Sequence, residues 1–151
     1  MIKLELLGVT SESGRRQHIV LLRHESRILP ITVDSQMAEA IRYGMLAEDI
    51  GRPLTHDLIC NLLAGLRGEL KSVAIYKLQD SVFYAHLNIE QKDEDGHVQQ
   101  VLRVDSRPSD SIAIAVRVGC PIYASEEVMD VASEEMVLEE EGPADGDEAD
   151  G

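Results

Sequence analysis

Tryptophan is absent from this chain, and only five aromatic residues, Tyr43, Tyr76, Phe83, Tyr84 and Tyr123, occur among its 151. A base-stacking platform of the kind single-strand binders carry is therefore thin, although the neighbours Phe83 and Tyr84 could furnish a small one. Cysteine is scarce too. Cys60 and Cys120 stand alone without CxxC spacing, which excludes a zinc site and a disulfide framework and leaves two reduced thiols in apolar surroundings. No apolar run approaches the ~20 residues of a membrane span. The N-terminal MIKLELLGV lacks the order of a secretory signal, so no membrane association and a cytoplasmic location are expected. Positive charge is in short supply, with 14 Lys and Arg against 28 Asp and Glu and a net charge of -14. A general nucleic-acid coating role, which needs a basic surface, is excluded. Missing as well are the P-loop, a GxGxxG after a strand, the GxSxG elbow and HExxH.

What is present is unevenly distributed. Residues 133–151 hold nine acidic residues and no Lys or Arg, so residues 1–132 carry a net charge of only 5 negative. The chain is read as one domain over residues 1–132, followed by an acidic, disordered tail over 133–151. A tail that mimics nucleic acid and folds back on a basic cleft is the sharper alternative.

The apolar pattern predicts an α+β fold. IKLELLGV (2–9), HIVLLR (18–23) and RILPITV (27–33) read as three strands joined by turns, and a helix follows from Ser35 to Glu48 with Met37, Ala40, Ile41, Gly44 and Met45 on one face. A second helix carries Leu54, Leu58, Ile59, Leu62, Leu63 and Leu66 as one stripe. The grammar then returns: KSVAIYKL (71–78), VFYAHLNIE (82–90) and HVQQVLRV (97–104) are strands, and a third helix starts near Arg107. A shift of 71 positions lays Val33, Asp34, Ser35 and Ile41 on Val104, Asp105, Ser106 and Ile112, Ile2 and Leu4 on Val73 and Ile75, and Glu39 on Asp110. Two duplicated β-β-β-α units are expected, their largely antiparallel sheet packed with helices around one core. PIYASEEVM (121–129) closes with a short strand and a last helical turn.

Two helices open on the same dipeptide, Arg52-Pro53 before LTHDL and Arg107-Pro108 before SDSIA. Helix-start chemistry explains most of both: proline suits the first turn, Thr55 can cap, and Asp57 and Asp110 complement the helix dipole. It does not explain the arginines, whose charge has the wrong sign for the positive end of a helix. Either they pair with carboxylates such as Asp57 or Asp110, or they add a bidentate clamp to a helix start that binds an anion. His56 and Asp57, beside Thr55, could act as a general base, or join Asp110 in a divalent-metal site. As a motif the pair is weak, and His56 standing alone reads as a helix-start or interface histidine before a catalytic one. His18, His24, His86 and His97 lie in strands or turns, with His86 alternating with Tyr84.

With LPI (29–31), AEAI (38–41), RPLTHDL (52–58), VFYAHL (82–87) and RPSDSIAIAVRVGCPIYASEEVM (107–129) in order, the sequence resembles the bifunctional nuclease (DNase/RNase) domain family over residues 1 to about 132. The resemblance implies a compact α+β fold and a nuclease that hydrolyses phosphodiester bonds in DNA and RNA. Carried over position by position, it points to His56, Asp57 and Asp110 as catalytic and to Arg52, Thr55, Arg107 and Ser109 as substrate-binding. Asp57, Asp110 and Glu39 are the candidate ligands for a divalent cation, Mg or Mn, should one be used. One departure matters: the family often carries a glutamate where this chain has Met37, so Glu39 would have to serve in its place. A non-catalytic module recognising a phosphorylated ligand or a protein partner is the competing reading, and a homo-oligomer is left open.

Overall fold

The computed structural model describes residues 1–11, 17–47 and 51–136. Among these residues eight strands form one sheet, and four helices pack against it: β1 (Ile2–Ser11), β2 (His18–His24), β3 (Arg27–Val33), α1 (Ser35–Leu46), α2 (Thr55–Gly65), β4 (Gly68–Gln79), β5 (Val82–Lys92), β6 (Val98–Ser106), α3 (Pro108–Val118), β7 (Ile122–Ala124), α4 (Glu126–Ala132) and β8 (Glu134–Glu135). The strand order is β6-β5-β4-β7-β1-β2-β3-β8, antiparallel throughout except where β4 runs parallel to β7. The expected α+β class with a largely antiparallel sheet is what the chain adopts.

Short β7 joins the two meanders. Ile2 and Leu4 pair with Ala124 and Ile122 on one side of it, while Val73 and Ile75 pair with Ile122 and Ala124 on the other. All six are buried, so the residues that the 71-position shift superimposes flank the same short strand from opposite sides. The helices do not follow that shift. α1 starts at Ser35, directly after Asp34 caps it through Met37 N–H, whereas α3 starts at Pro108, beyond Ser106, which still lies in β6.

β1 pairs with β7 through its first residues and with β2 from Glu5 onward, with an irregularity between Leu6 and Gly8. Such a bulge bends a strand and increases its twist. The sheet curls accordingly, since α4 touches both β3 and β4, which three other strands separate. Leu22, Leu29, Ile41, Ile75, Ile112 and Met129 are the largest completely enclosed apolar side chains of the core. None of the described helices is long and apolar enough to cross a membrane.

Two expectations need correction. The leucine stripe of α2 is split: Ile59 and Leu63 pack on the core, whereas Leu54, Leu58, Leu62 and Leu66 are 40%, 50%, 56% and 63% exposed. Rows spaced by four lie side by side on a helix, and only one of the two rows reaches the core. The boundary at 132 is also too early. Glu134 and Glu135 pair with Ile28 and Arg27, the Ser26 hydroxyl donates to Glu135 at 2.9 Å, and Met136 N–H donates to the Ser26 carbonyl at 2.7 Å. Two glutamates in an acidic run carry no strand signal of their own; backbone pairing with β3 places them. The expected disordered tail from residue 137 onward lies outside the described residues.

Candidate functional site at two joined helix starts

The first turns of α2 and α3 meet. His56, in the first turn of α2, places Nε2 2.9 Å from Asp110 Oδ1 in the first turn of α3, across 54 positions of chain. His56 is only 7% exposed, while the Asp110 side chain keeps 40% of its surface open. With Nε2–H donating to the carboxylate, the open member of this pair is the aspartate.

Asp57 is differently engaged. Its Oδ2 accepts the Leu54 N–H at 2.9 Å and its Oδ1 accepts Arg117 Nε–H at 2.7 Å. These bonds, the backbone one foremost, hold its carboxyl below the usual range. Thr55 therefore does not cap α2, as the sequence suggested. It is the first helical residue, exposed, and Asp57 closes the turn by reaching back to Leu54.

Arg117, missed as a site residue, ties the helices together. Its side chain, 8% exposed, sends Nη1 to the carbonyls of Ala40 in α1 (2.9 Å) and Ala113 in α3 (2.7 Å) besides holding Asp57 in α2. A lone cation within the apolar AIAVRVG was the available signal.

The side chains of Arg52 and Arg107 are exposed and make no hydrogen bond or ion pair among the described residues, so the structural pairing with Asp57 or Asp110 is not formed. Arg107 occupies the N-cap of α3 and Ser109 its second position, half-buried. The first helical bonds are Leu58 N–H to Leu54 and Ser111 N–H to Arg107, which leaves the earlier amides of both helix starts outside the intrahelical ladder. The neighbouring Ser111 is fully buried, and its hydroxyl has no partner among the described residues.

The donor set does not fit the expected divalent-metal site. Asp57 has both oxygens occupied, Glu39 is an exposed residue of α1, and Met37 packs on the core. Among the described residues, only Asp93, Asp95 and His97 of the β5–β6 turn bring three donor atoms together, and they belong to neither helix start. A depression of about 700 Å³ lies elsewhere, lined by Lys3, Arg23, His24, Gly119 and Cys120 among others toward the other end of α3.

Fold and site thus define an α+β protein whose two Arg-Pro helix starts are joined by a His–Asp bond. The profile of the bifunctional nuclease domain matches residues 19–137, and the chain belongs to that family. Two relatives from Mycobacterium tuberculosis, the uncharacterized protein MT1877 of strain CDC 1551 / Oshkosh and the uncharacterized protein Rv1829 of strain ATCC 25618 / H37Rv, are each 40% identical over 131 residues, covering 85% of this chain and 74% of theirs.

Proposed function

We propose that the joined helix starts hydrolyse phosphodiester bonds of DNA and RNA. The observation that carries the reading is the His56–Asp110 bond at 2.9 Å beside two unpaired arginines, within a chain of the bifunctional nuclease domain family. Arg52 and Arg107 receive the phosphate together with the free amides at the helix starts, and Thr55 and Ser109 offer hydroxyls to it. Asp110 takes a proton from the attacking water as its oxygen bonds to phosphorus. The bond to the leaving oxygen breaks, and the proton held by Asp110 passes to that oxygen. His56, almost enclosed, orients Asp110 and stabilises its charge, while Asp57, bound to Arg117, is a positioning residue. Cleavage is expected to survive chelation, because Asp57, Asp110 and Glu39 do not converge on a common point.

The same reading takes the two β-β-β-α runs as copies of one unit, supported by the matched flanking of β7. Since α2 occurs between the runs only once, the chain has one such site rather than two.

A second reading, a non-catalytic module that binds a phosphorylated ligand or a protein partner, draws support from the enclosure of His56 and the exposed leucines of α2. Cleavage of single- and double-stranded DNA and RNA by purified protein, with Mg²⁺, Mn²⁺ or chelator, separates the two. Asp110→Asn is expected to lower turnover by about 100-fold or more, the scale of a lost proton-transfer group, and His56→Asn by less. Equal cleavage by both variants and the wild type would identify a contaminant and remove the assignment. Loss of activity only on chelation would return a metal to the site.

A further inference from the structure

The opposite face of the sheet carries a second cluster. Ala85, Leu87 and Ile89 of β5 are buried in the core, and Phe83 packs on that same side. The alternate residues Tyr84, His86 and Asn88 therefore point the other way, so Phe83 and Tyr84 cannot form the small platform that adjacency suggested. Tyr84 finds other partners. The register of β4 on β5 shifts between Ile75, opposite Ala85, and Lys77, opposite Tyr84, leaving Tyr76 as the extra residue of a bulge. A bulge re-aims side chains, and this one delivers two to the outer face. The Tyr76 ring lies 4.7 Å from the His86 ring and 6.4 Å from the Tyr84 ring, and Lys77 Nζ stands 5.2 Å from the Tyr84 centroid. On β6, Asp105 pairs directly with His86, and Arg103 with Asn88. Tyr76, His86, Arg103 and Asp105 line a depression of about 440 Å³. Tyr76 and Tyr84 keep 37% and 36% of their surface open.

Cross-strand rings stabilise a sheet wherever they occur. That alone does not require an open depression with a guanidinium and a carboxylate on its floor. Rings offer a stacking face, Arg103 and Lys77 a phosphate contact, and Asp105 an acceptor for an exocyclic amine: the chemistry of a nucleotide.

We propose that this outer face of β4, β5 and β6 is a docking site for unpaired bases of single-stranded nucleic acid, distinct from the helix starts and stacking a base on Tyr76 and His86. The inference rests on the nucleic-acid reading above. β6 ends at Ser106, one residue after Asp105, and the chain passes at once to Arg107 at the start of α3, so a strand held on this face has a continuous piece of chain leading to the candidate hydrolytic site.

The chain contains no tryptophan, and two of its four tyrosines lie in the cluster, so tyrosine emission of the full-length protein reports on it directly. Short oligo-dA and oligo-dT are titrated against an abasic oligomer of equal length. The base-bearing oligomers are expected to quench emission and to bind about tenfold more tightly, the worth of a base–aromatic stack. Tyr76→Leu and Tyr84→Leu are expected to lose about that factor, Tyr76→Phe to retain it, and Arg103→Gln to weaken all oligomers alike. Equal binding of the abasic oligomer, or no loss in Tyr76→Leu and Tyr84→Leu, overturns the proposal. Cleavage with no dependence of binding on these rings discards the platform and keeps the hydrolytic reading. Ring-dependent binding without cleavage does the reverse.

Discussion

The Arg117 side chain bonds into three helices. Its guanidinium bonds Asp57 in α2, Ala40 in α1 and its own helix at Ala113, all behind a surface only 8% exposed. A buried cation without partners is costly, and here the bond to Asp57 also ties the start of α2 to α3. Arg117→Met is expected to destabilise the protein by about 3 kcal/mol, because it strands the Asp57 carboxylate and two carbonyls. Asp57→Asn should cost less, since Arg117 keeps its carbonyl acceptors; chemical denaturation of both singles and the double variant gives the coupling. The pH dependence follows in sign. Asp57 is held low chiefly by the Leu54 N–H and then by Arg117. Its folded pKa lies beneath its unfolded value, so its contribution is complete above about pH 4 and is lost as acid takes the pH down through the folded value. Asp57→Asn should flatten that acid limb of the stability curve and leave its slope near neutrality unchanged. The sequence showed Arg117 only as a lone cation in an apolar helix. Its partner lies 60 positions away, and a pairing at that distance is a product of the fold.

At the scale of elements, α1 and α3 approach closely at Gly44. A Cβ on Gly44 would stand 2.5 Å from Val116 Cγ2 and 2.6 Å from Arg117 Nη1. In an open helix, alanine is favoured over glycine by about 1 kcal/mol. Here the methyl must displace an arginine pinned by three bonds, and Gly44→Ala is expected to lower stability by about 1–3 kcal/mol, the range for an overfilled contact. Gly65→Ala is the control: nothing lies within 4 Å of a Cβ there, so it should melt at the wild-type temperature or above. The same elements show how far local pattern reaches. Strand alternation gave β2 through β6 to within a few residues, and Arg107-Pro108 marked the start of α3. The orientation of α2 was illegible, because two adjacent rows of leucines satisfy the same periodicity and only the neighbouring helix decides which is covered. The bulge at Tyr76 was hidden for a related reason, since register depends on the strand opposite.

At the scale of the molecule, charge separates two ends of the chain. Residues 137–151 hold seven acidic side chains and no basic one, so ending the chain after Met136 halves the net charge from 14 to 7 negative. The cut leaves β8 and its bonds to Ser26 in place, and the melting temperature should stay within about 1 °C of the full chain. Ending the chain after Ala132 instead removes the strand beside β3 and the Ser133 hydroxyl bond to Met129, and should lower it measurably. A polyanionic ligand meets these negative charges through solvent, across a Debye length of about 10 Å at 0.1 M salt and about 3 Å at 1 M. The chain ending at Met136 is therefore expected to bind single-stranded oligonucleotides more tightly than the full chain at low salt, with the two converging as salt rises. A gain that persists at high salt would mean that the tail competes for the ligand's site by contact, as a nucleic-acid mimic would. No gain at any salt concentration would mean that the seven charges lie beyond the reach of both proposed surfaces.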